Sequence, residues 1–212
     1  MGAGTPRARL VLLSGGLDSA AVLFLGAPDA TQALFIDYGQ ASARGELDAA
    51  TRLTAQRGVP LEVAVVPDLA RLGAGRLSIR PAARISDGAT ELQQEEWFPA
   101  RNLVLISLAG ALLAREGGGE LCLGAGDAVY RDGRPAFFKT AQAALRASLP
   151  ENIPVRISVA GRSRDSVLAE AVAEGLDLRT TFSCNRRGDR HCWRCASCRD
   201  RAALLRALGA WP

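Results

Sequence analysis

The sequence predicts an α/β protein: a parallel five-stranded sheet with helices on both faces and a small C-terminal metal-binding subdomain. Three observations carry this. Short apolar runs alternate with segments of helical period. The first run ends at Ser14-Gly15-Gly16, a turn that opens a helix. Four of the five cysteines crowd into the last thirty or so residues.

Each element follows from its residues. Arg9–Leu13 is a short apolar run bounded by Ser-Gly-Gly and reads as a buried strand. Leu17–Leu25 reads as a helix, and Ala33–Ile36 as a second strand ended by Asp37-Tyr38-Gly39. Glu46–Arg57 has helical spacing, with Leu47, Ala50 and Leu53 on one face and Gly58 as C-cap. Leu61–Val66 is a third strand. From Pro67 to Trp97 glycines, prolines and charges break any period, which predicts irregular loops or an insertion, a length often used for lids.

Asn102–Arg115 is a strongly apolar helix with Asn102 as its expected cap. Glu120–Gly124 is a fourth strand, with Cys122 as a small core residue. Arg134–Leu149 is a helix with Pro135 in its first turn. Val155–Val159 is a fifth strand, Asp165–Glu174 a helix, and Arg199–Leu208 a terminal helix. In such sheets ligands bind beyond the carboxyl ends of the strands. The Ser-Gly-Gly turn and Asp37-Tyr38-Gly39-Gln40 should therefore meet at one crevice. The expected division is an α/β domain over 1–181 and a cysteine-bearing subdomain over 182–212.

Composition sets outer limits. Of 212 residues, 48% are hydrophobic, enough for one α/β core. No apolar run is long enough to cross a membrane, and no signal-peptide pattern follows the N-terminus, so a cytoplasmic protein is expected. Net charge is +4, carried almost wholly by arginine, since Lys139 is the only lysine. That balance suits anionic ligands such as nucleotides and does not by itself argue for nucleic acid.

Ser14-Gly15-Gly16-Leu17-Asp18-Ser19 is the expected nucleotide site, with Leu13 leading into it. Glycines let backbone amides approach phosphate oxygens. A new helix offers unsatisfied N–H groups and the positive end of its dipole. Ser14 and Ser19 add hydroxyls. Asp18 makes sense beside phosphate if Mg²⁺ sits between them. With no lysine, the loop is not the Gly-Lys-Ser/Thr type. It is similar to the SGGxDS loop of the N-type ATP pyrophosphatases, which hold the pyrophosphate half of ATP.

Cys184, Cys192, Cys195 and Cys198 follow the spacing C-x7-C-x2-C-x2-C, which suits a closed tetrahedral Zn²⁺ site. An iron–sulfur cluster is the rival. Arginines 186, 187, 190, 194, 199 and 201 surround them and would favour thiolates. His191 reads as an exposed loop residue, outside the ligand set.

The combination resembles the 7-cyano-7-deazaguanine synthases. Five segments carry the resemblance: LLSGGLDSA at Leu12–Ala20, FIDYGQ at Phe35–Gln40, FPARNLVLISLA at Phe98–Ala109, GRPAFFK at Gly133–Lys139, and FSCNRRGDRHCWRCASCRDR at Phe182–Arg201. The chain departs from that pattern at the shortened run Gly126–Asp132, at Ala136, at Ala41-Ser42, and at Gly161-Arg162-Ser163-Arg164-Asp165 in place of a lysine-rich stretch.

The resemblance implies an adenine-nucleotide-hydrolase-like fold and an ATP-dependent carbon–nitrogen ligase, consuming ATP with Mg²⁺, using ammonia, and acting on a deazaguanine carboxylate. It implies catalytic roles for Asp18, Lys139 and Arg101, substrate contacts for Asp37, Tyr38 and Asn102, and a homodimer. Trp97 and Phe98 are candidates to stack on a flat heterocycle or to fill the core. Three other functions stay open on the residues alone: transfer of the adenylate to another amine such as a protein N-terminus, direct tRNA modification, and a non-catalytic zinc scaffold.

Overall fold

The computed structural model describes residues 8–26, 29–72, 97–124, 130–158 and 161–211. Most of the predicted 67–97 loop region, residues 126–129 of the shortened run, and the end of the fifth strand at Val159 lie outside the described residues.

Strands β1 (Arg9–Leu12), β2 (Gln32–Asp37), β3 (Leu61–Val65), β4 (Glu120–Leu123) and β5 (Val155–Ile157) form one sheet in the order β3-β2-β1-β4-β5. Every pairing is parallel, with Val11 opposite both Ala33 and Cys122. Period-two alternation sorts the strand residues. Val11, Ala33, Phe35 and Cys122 face one core, while Leu10, Leu34, Ile36, Leu121 and Leu123 face the other. Each fully buried aliphatic side chain contributes about 1.5–3 kcal/mol, so the two cores dominate the fold.

The first core is closed by α1 (Leu17–Ala21, widening to a π turn at Val22–Gly26), α2 (Ala43–Arg57), α6 (Arg164–Ala173) and α7 (Ala196–Ala207). The second is closed by α4 (Arg101–Arg115) and α5 (Pro135–Ser148). A short α3 (Leu69–Leu72) follows β3. Gly58 caps α2 at φ 65° and Pro135 opens α5, both as the sequence predicts. Cys122 is fully buried in β4. Among the described residues no helix is long and apolar enough to cross a membrane.

Asn102 is not the cap of its helix. α4 begins one residue earlier, with Ala100 as N-cap at φ 52°. Asn102 is instead clamped by Asp132, whose Oδ2 accepts the Asn102 amide at 3.1 Å and whose carbonyl accepts Asn102 Nδ2 at 2.8 Å. A first-turn amide of α4 is thus satisfied from a distant 3₁₀ turn (Arg131–Gly133), not by its own sequence.

The chain leaves β1 toward β2 and β3, then returns to the other side of β1 for β4 and β5. The strand order therefore reverses between β1 and β4, the switch point beyond whose carboxyl ends ligands bind in sheets of this kind. The Ser14–Ser19 turn lies there.

Candidate functional site

The turn after β1 is fixed from behind. Gly15 has φ 78°, and a Cβ placed on it would lie 2.4 Å from the Glu46 carbonyl oxygen in the first turn of α2. Gly124, just after β4, is equally constrained: its Cβ would lie 2.6 Å from the Asp18 carbonyl oxygen. The back of the turn is packed, while Ser14 on its face is exposed. Ser14 and Ser19 hydroxyls lie 3.1 Å apart, and Ser19 Oγ donates to the Gly16 carbonyl at 3.1 Å. Gly16 is the N-cap of α1 and supplies no side-chain bond, so no cap competes with an anion for the first-turn amides. Leu13 and Leu17 are buried at 1% and 2%, so only their backbone is available to a ligand.

Asp18 reaches a partner that sequence reading missed. Its Oδ1 accepts Arg164 Nε at 2.9 Å, and Arg164 Nη1 donates to Asp200 at 2.6 Å. Burial alone would lower the Arg164 pKa, but the two carboxylates together raise it. The bridge joins the start of α1 to the start of α6 and to α7. All three side chains are two-fifths or more exposed, so the bridge contributes at most about 1 kcal/mol of stability. Its consequence is the placement of Asp18. For a magnesium ion the fit is partial: one carboxylate oxygen is taken by Arg164, leaving Oδ2 as a single protein ligand beside any phosphate oxygens.

At the end of β2, Asp37 Oδ1 accepts the Gly39 amide at 2.8 Å. Tyr38 is a core residue, 7% exposed, with its ring edge-on to Phe98 at 5.5 Å. Phe98 is likewise buried. Glu46, also missed, joins this end of the sheet. It accepts Gln40 Nε2 and Ser42 Oγ, each at 2.8 Å. Burial raises its pKa, opposed by those two hydrogen bonds and by the Arg101 charge, with Asp37 adding to the rise. Arg101, Asp37 and Glu46 are thus electrostatically coupled beside the Gly15 turn. Lys139 lies exposed on α5.

The four cysteines converge. Their Sγ atoms all lie within 4.8 Å of one another, and Cys192 and Cys198 are 3.9 Å apart. Tetrahedral zinc with Zn–S of 2.3 Å needs sulfurs about 3.8 Å apart, so the donor set fits. The separation is far beyond a disulfide bond, and all four thiols are free. Desolvation opposes ionisation of Cys192, but the Arg194 and Cys195 amides and the Cys184 and Cys195 thiols bring its pKa down to about 6. Burial pushes Cys184 and Cys198 up. A divalent cation would resolve that conflict, since it binds thiolates.

His191 is outside the ligand set, as expected, but it is not an exposed loop residue. Its ring lies between Phe182 and Trp193, with centroids at 4.8 and 4.9 Å, and Nε2 accepts the Ser183 amide at 3.1 Å. Burial lowers its pKa to about 4. The cysteine centre also touches the turn after β1. Phe182, two residues before Cys184, donates its amide to the Gly15 carbonyl at 2.9 Å, and Phe182, Ala49 and the cysteines share one buried cluster.

The sequence as a whole matches known proteins. The model of the family described as "Queuosine biosynthesis protein QueC" matches residues 8–209. The chain belongs to the QueC family. The match runs from β1 to the end of α7 and so includes both the Ser14–Ser19 turn and the four cysteines. Curated relatives agree. The chain is 35% identical to the 7-cyano-7-deazaguanine synthase of Cupriavidus necator, over 94% of this chain and 93% of that protein. It is 32% identical to 7-cyano-7-deazaguanine synthase 1 of Desulfitobacterium hafniense, over 92% and 90%. It is 31% identical to the synthase of Marinobacter nauticus, over 94% and 93%. Within the QueC family frame, Gly124, Glu46 and Arg164 are the residues that the sequence alone did not mark. Gly124 had a legible signal, a glycine closing a buried strand; Arg164 acts through a partner 146 residues away, and Glu46 through Gln40 and Ser42 close by.

Proposed function

We propose that the chain is an ATP-dependent 7-cyano-7-deazaguanine synthase, converting 7-carboxy-7-deazaguanine and ammonia to the nitrile. The observation that carries this is the uncapped, back-packed Ser14–Ser19 turn at the reversal of strand order, in a chain matching the QueC family from residue 8 to 209. The substrate carboxylate attacks the α-phosphorus of ATP, pyrophosphate leaves and an acyl-adenylate forms. Ammonia displaces AMP to give the amide. The amide oxygen then attacks a second ATP, releasing pyrophosphate and a proton, and loss of AMP and a second proton yields the nitrile.

The protein's part is positioning and charge stabilisation. Amides at Gly15 and Gly16, with the Ser14 and Ser19 hydroxyls, would hold the leaving pyrophosphate. Magnesium would supply charge neutralisation on the triphosphate, with Asp18 as its protein ligand. Arg164 would aim Asp18. Arg101 and Lys139 would face developing phosphate charge, with Asp37 at the substrate end. The four cysteines would hold zinc as a structural ion.

Two measurements test this reading. Purified protein with ATP, Mg²⁺, ammonia and the carboxy-deazaguanine is expected to yield the nitrile by mass spectrometry. Metal-loaded protein giving no nitrile overturns the reaction. Arg164→Ala is expected to cost less than about 1 kcal/mol of stability but to lower kcat/KM for ATP roughly tenfold or more, about 1.4 kcal/mol of transition-state stabilisation. Unchanged ATP kinetics in a normally melting variant would remove Arg164 from the site.

A further inference from the structure

Among the described residues, Arg201 is the largest fully buried side chain, 2% exposed. Its Nη1 donates to Thr181 Oγ1 at 2.6 Å and Ser183 Oγ at 3.3 Å, and Nη2 to the Leu178 carbonyl at 2.6 Å. All three acceptors are neutral. Among the described residues no carboxylate lies within ion-pair distance of it, and its buried Nε has no partner. Asp177, the carboxylate that acts on it most from a distance, is committed to Arg179 at 2.9 Å. A buried cation without a counter-charge is strongly unfavourable, so an anion must compensate it.

The surroundings name that anion. Cys198 lies three residues before Arg201 on α7, one helical turn away. Thr181 and Ser183, which Arg201 grips, lead directly into Cys184. Four thiolates on a divalent ion leave two net negative charges in a buried centre. Arg186, Arg187, Arg190, Arg194 and Arg199 are all exposed, where water screens them. Arg201 is the arginine of this group inside the low-dielectric region.

We infer that Arg201 is a positioning residue for the metal centre: it is the buried counter-charge of the four thiolates. The inference rests on the reading that the cysteines hold a divalent metal. Each side then solves the other's problem. The guanidinium offsets the excess negative charge of the centre, and the centre neutralises a guanidinium that its hydroxyl and carbonyl partners cannot.

The test compares wild type, R201Q and R201K. Metal content of the wild type comes first. Protein purified without bound metal, and taking up none when given zinc, overturns both the metal reading and this inference. Zinc affinity is then measured by competition with a chromogenic chelator. R201Q is expected to bind zinc about 10–100-fold more weakly, and R201K, which keeps the charge, within about tenfold of wild type. A merely structural arginine would lower the unfolding midpoint but leave the zinc affinity of the folded protein unchanged. Folded R201Q with wild-type affinity therefore overturns the inference while leaving the metal centre standing. If R201Q does not fold, R201K decides: retained zinc supports the counter-charge, and a metal-poor R201K overturns it.

Discussion

Cys198→Ala is expected to release the metal from the C-terminal centre and abolish AMP formation in the same protein. Cys198 is fully buried, and the cluster around it offers few apolar contacts apart from Ala49, Phe182 and the other cysteines. Those contacts are worth a few kcal/mol, against about 10–16 kcal/mol for structural zinc in small thiolate sites. The ion, not packing, would hold the segment from Phe182 to Cys198. That segment supports the nucleotide turn directly: the Phe182 amide donates to the Gly15 carbonyl, and a Cβ on Gly45 would strike the Phe182 ring at 2.5 Å.

Loss of the metal should therefore loosen the turn as well as the centre. A net destabilisation of about 4 kcal/mol would lower the melting temperature by about 10 °C. Elemental analysis, a thermal melt and an AMP-release assay on one preparation check all three effects. Stripping zinc from wild type with a strong chelator should reproduce them. A metal-free protein that melts within about 2 °C of wild type and still forms AMP would show the centre to be independent of the nucleotide turn.

How much of this was legible depends on how local each signal is. The parallel sheet was, because alternation of strand and helix is written in consecutive residues, and β1 to β5 fall where the apolar runs predict. The cysteine centre was, because three of its ligands lie within seven residues, from Cys192 to Cys198. What failed was pairing at a distance. Asn102 looks like a cap in its own segment, but the group that satisfies the helix start is Asp132, thirty residues on. Asp18 gave no hint of its ion-pair partner, Arg164, which is 146 residues away. His191, left over once four cysteines complete the ligand set, reads as exposed, yet flanking aromatic rings and the Ser183 amide hold it half-buried. Tyr38 directly follows a strand, and its ring packs into the core against Phe98, sixty residues on. Where the partner comes from another element, as for Asn102 and Asp18, it is not encoded in the neighbouring residues.

The Gly15 turn allows a test in which conformation and contact can be separated. Gly15→Ala is expected to cost about 3 kcal/mol or more and to lower AMP-forming turnover at least about 100-fold. A φ of 78° costs a non-glycine residue about 1–2 kcal/mol. The rest comes from the 2.4 Å approach to the Glu46 carbonyl, a backbone atom in the first turn of α2 that cannot yield without moving the helix. Gly58→Ala supplies the control. It shares the left-handed backbone, at φ 65°, but nothing lies within 4 Å of its Cβ. It should cost about 1 kcal/mol and leave turnover intact. Gly124→Ala supplies the converse, an ordinary backbone whose Cβ would lie 2.6 Å from the Asp18 carbonyl. Denaturant unfolding and AMP release on the three variants should rank Gly15 and Gly124 together, well apart from Gly58. If Gly15→Ala keeps wild-type turnover, a main-chain grip on the leaving pyrophosphate at this turn is untenable, because the substitution must displace the amides that would form it.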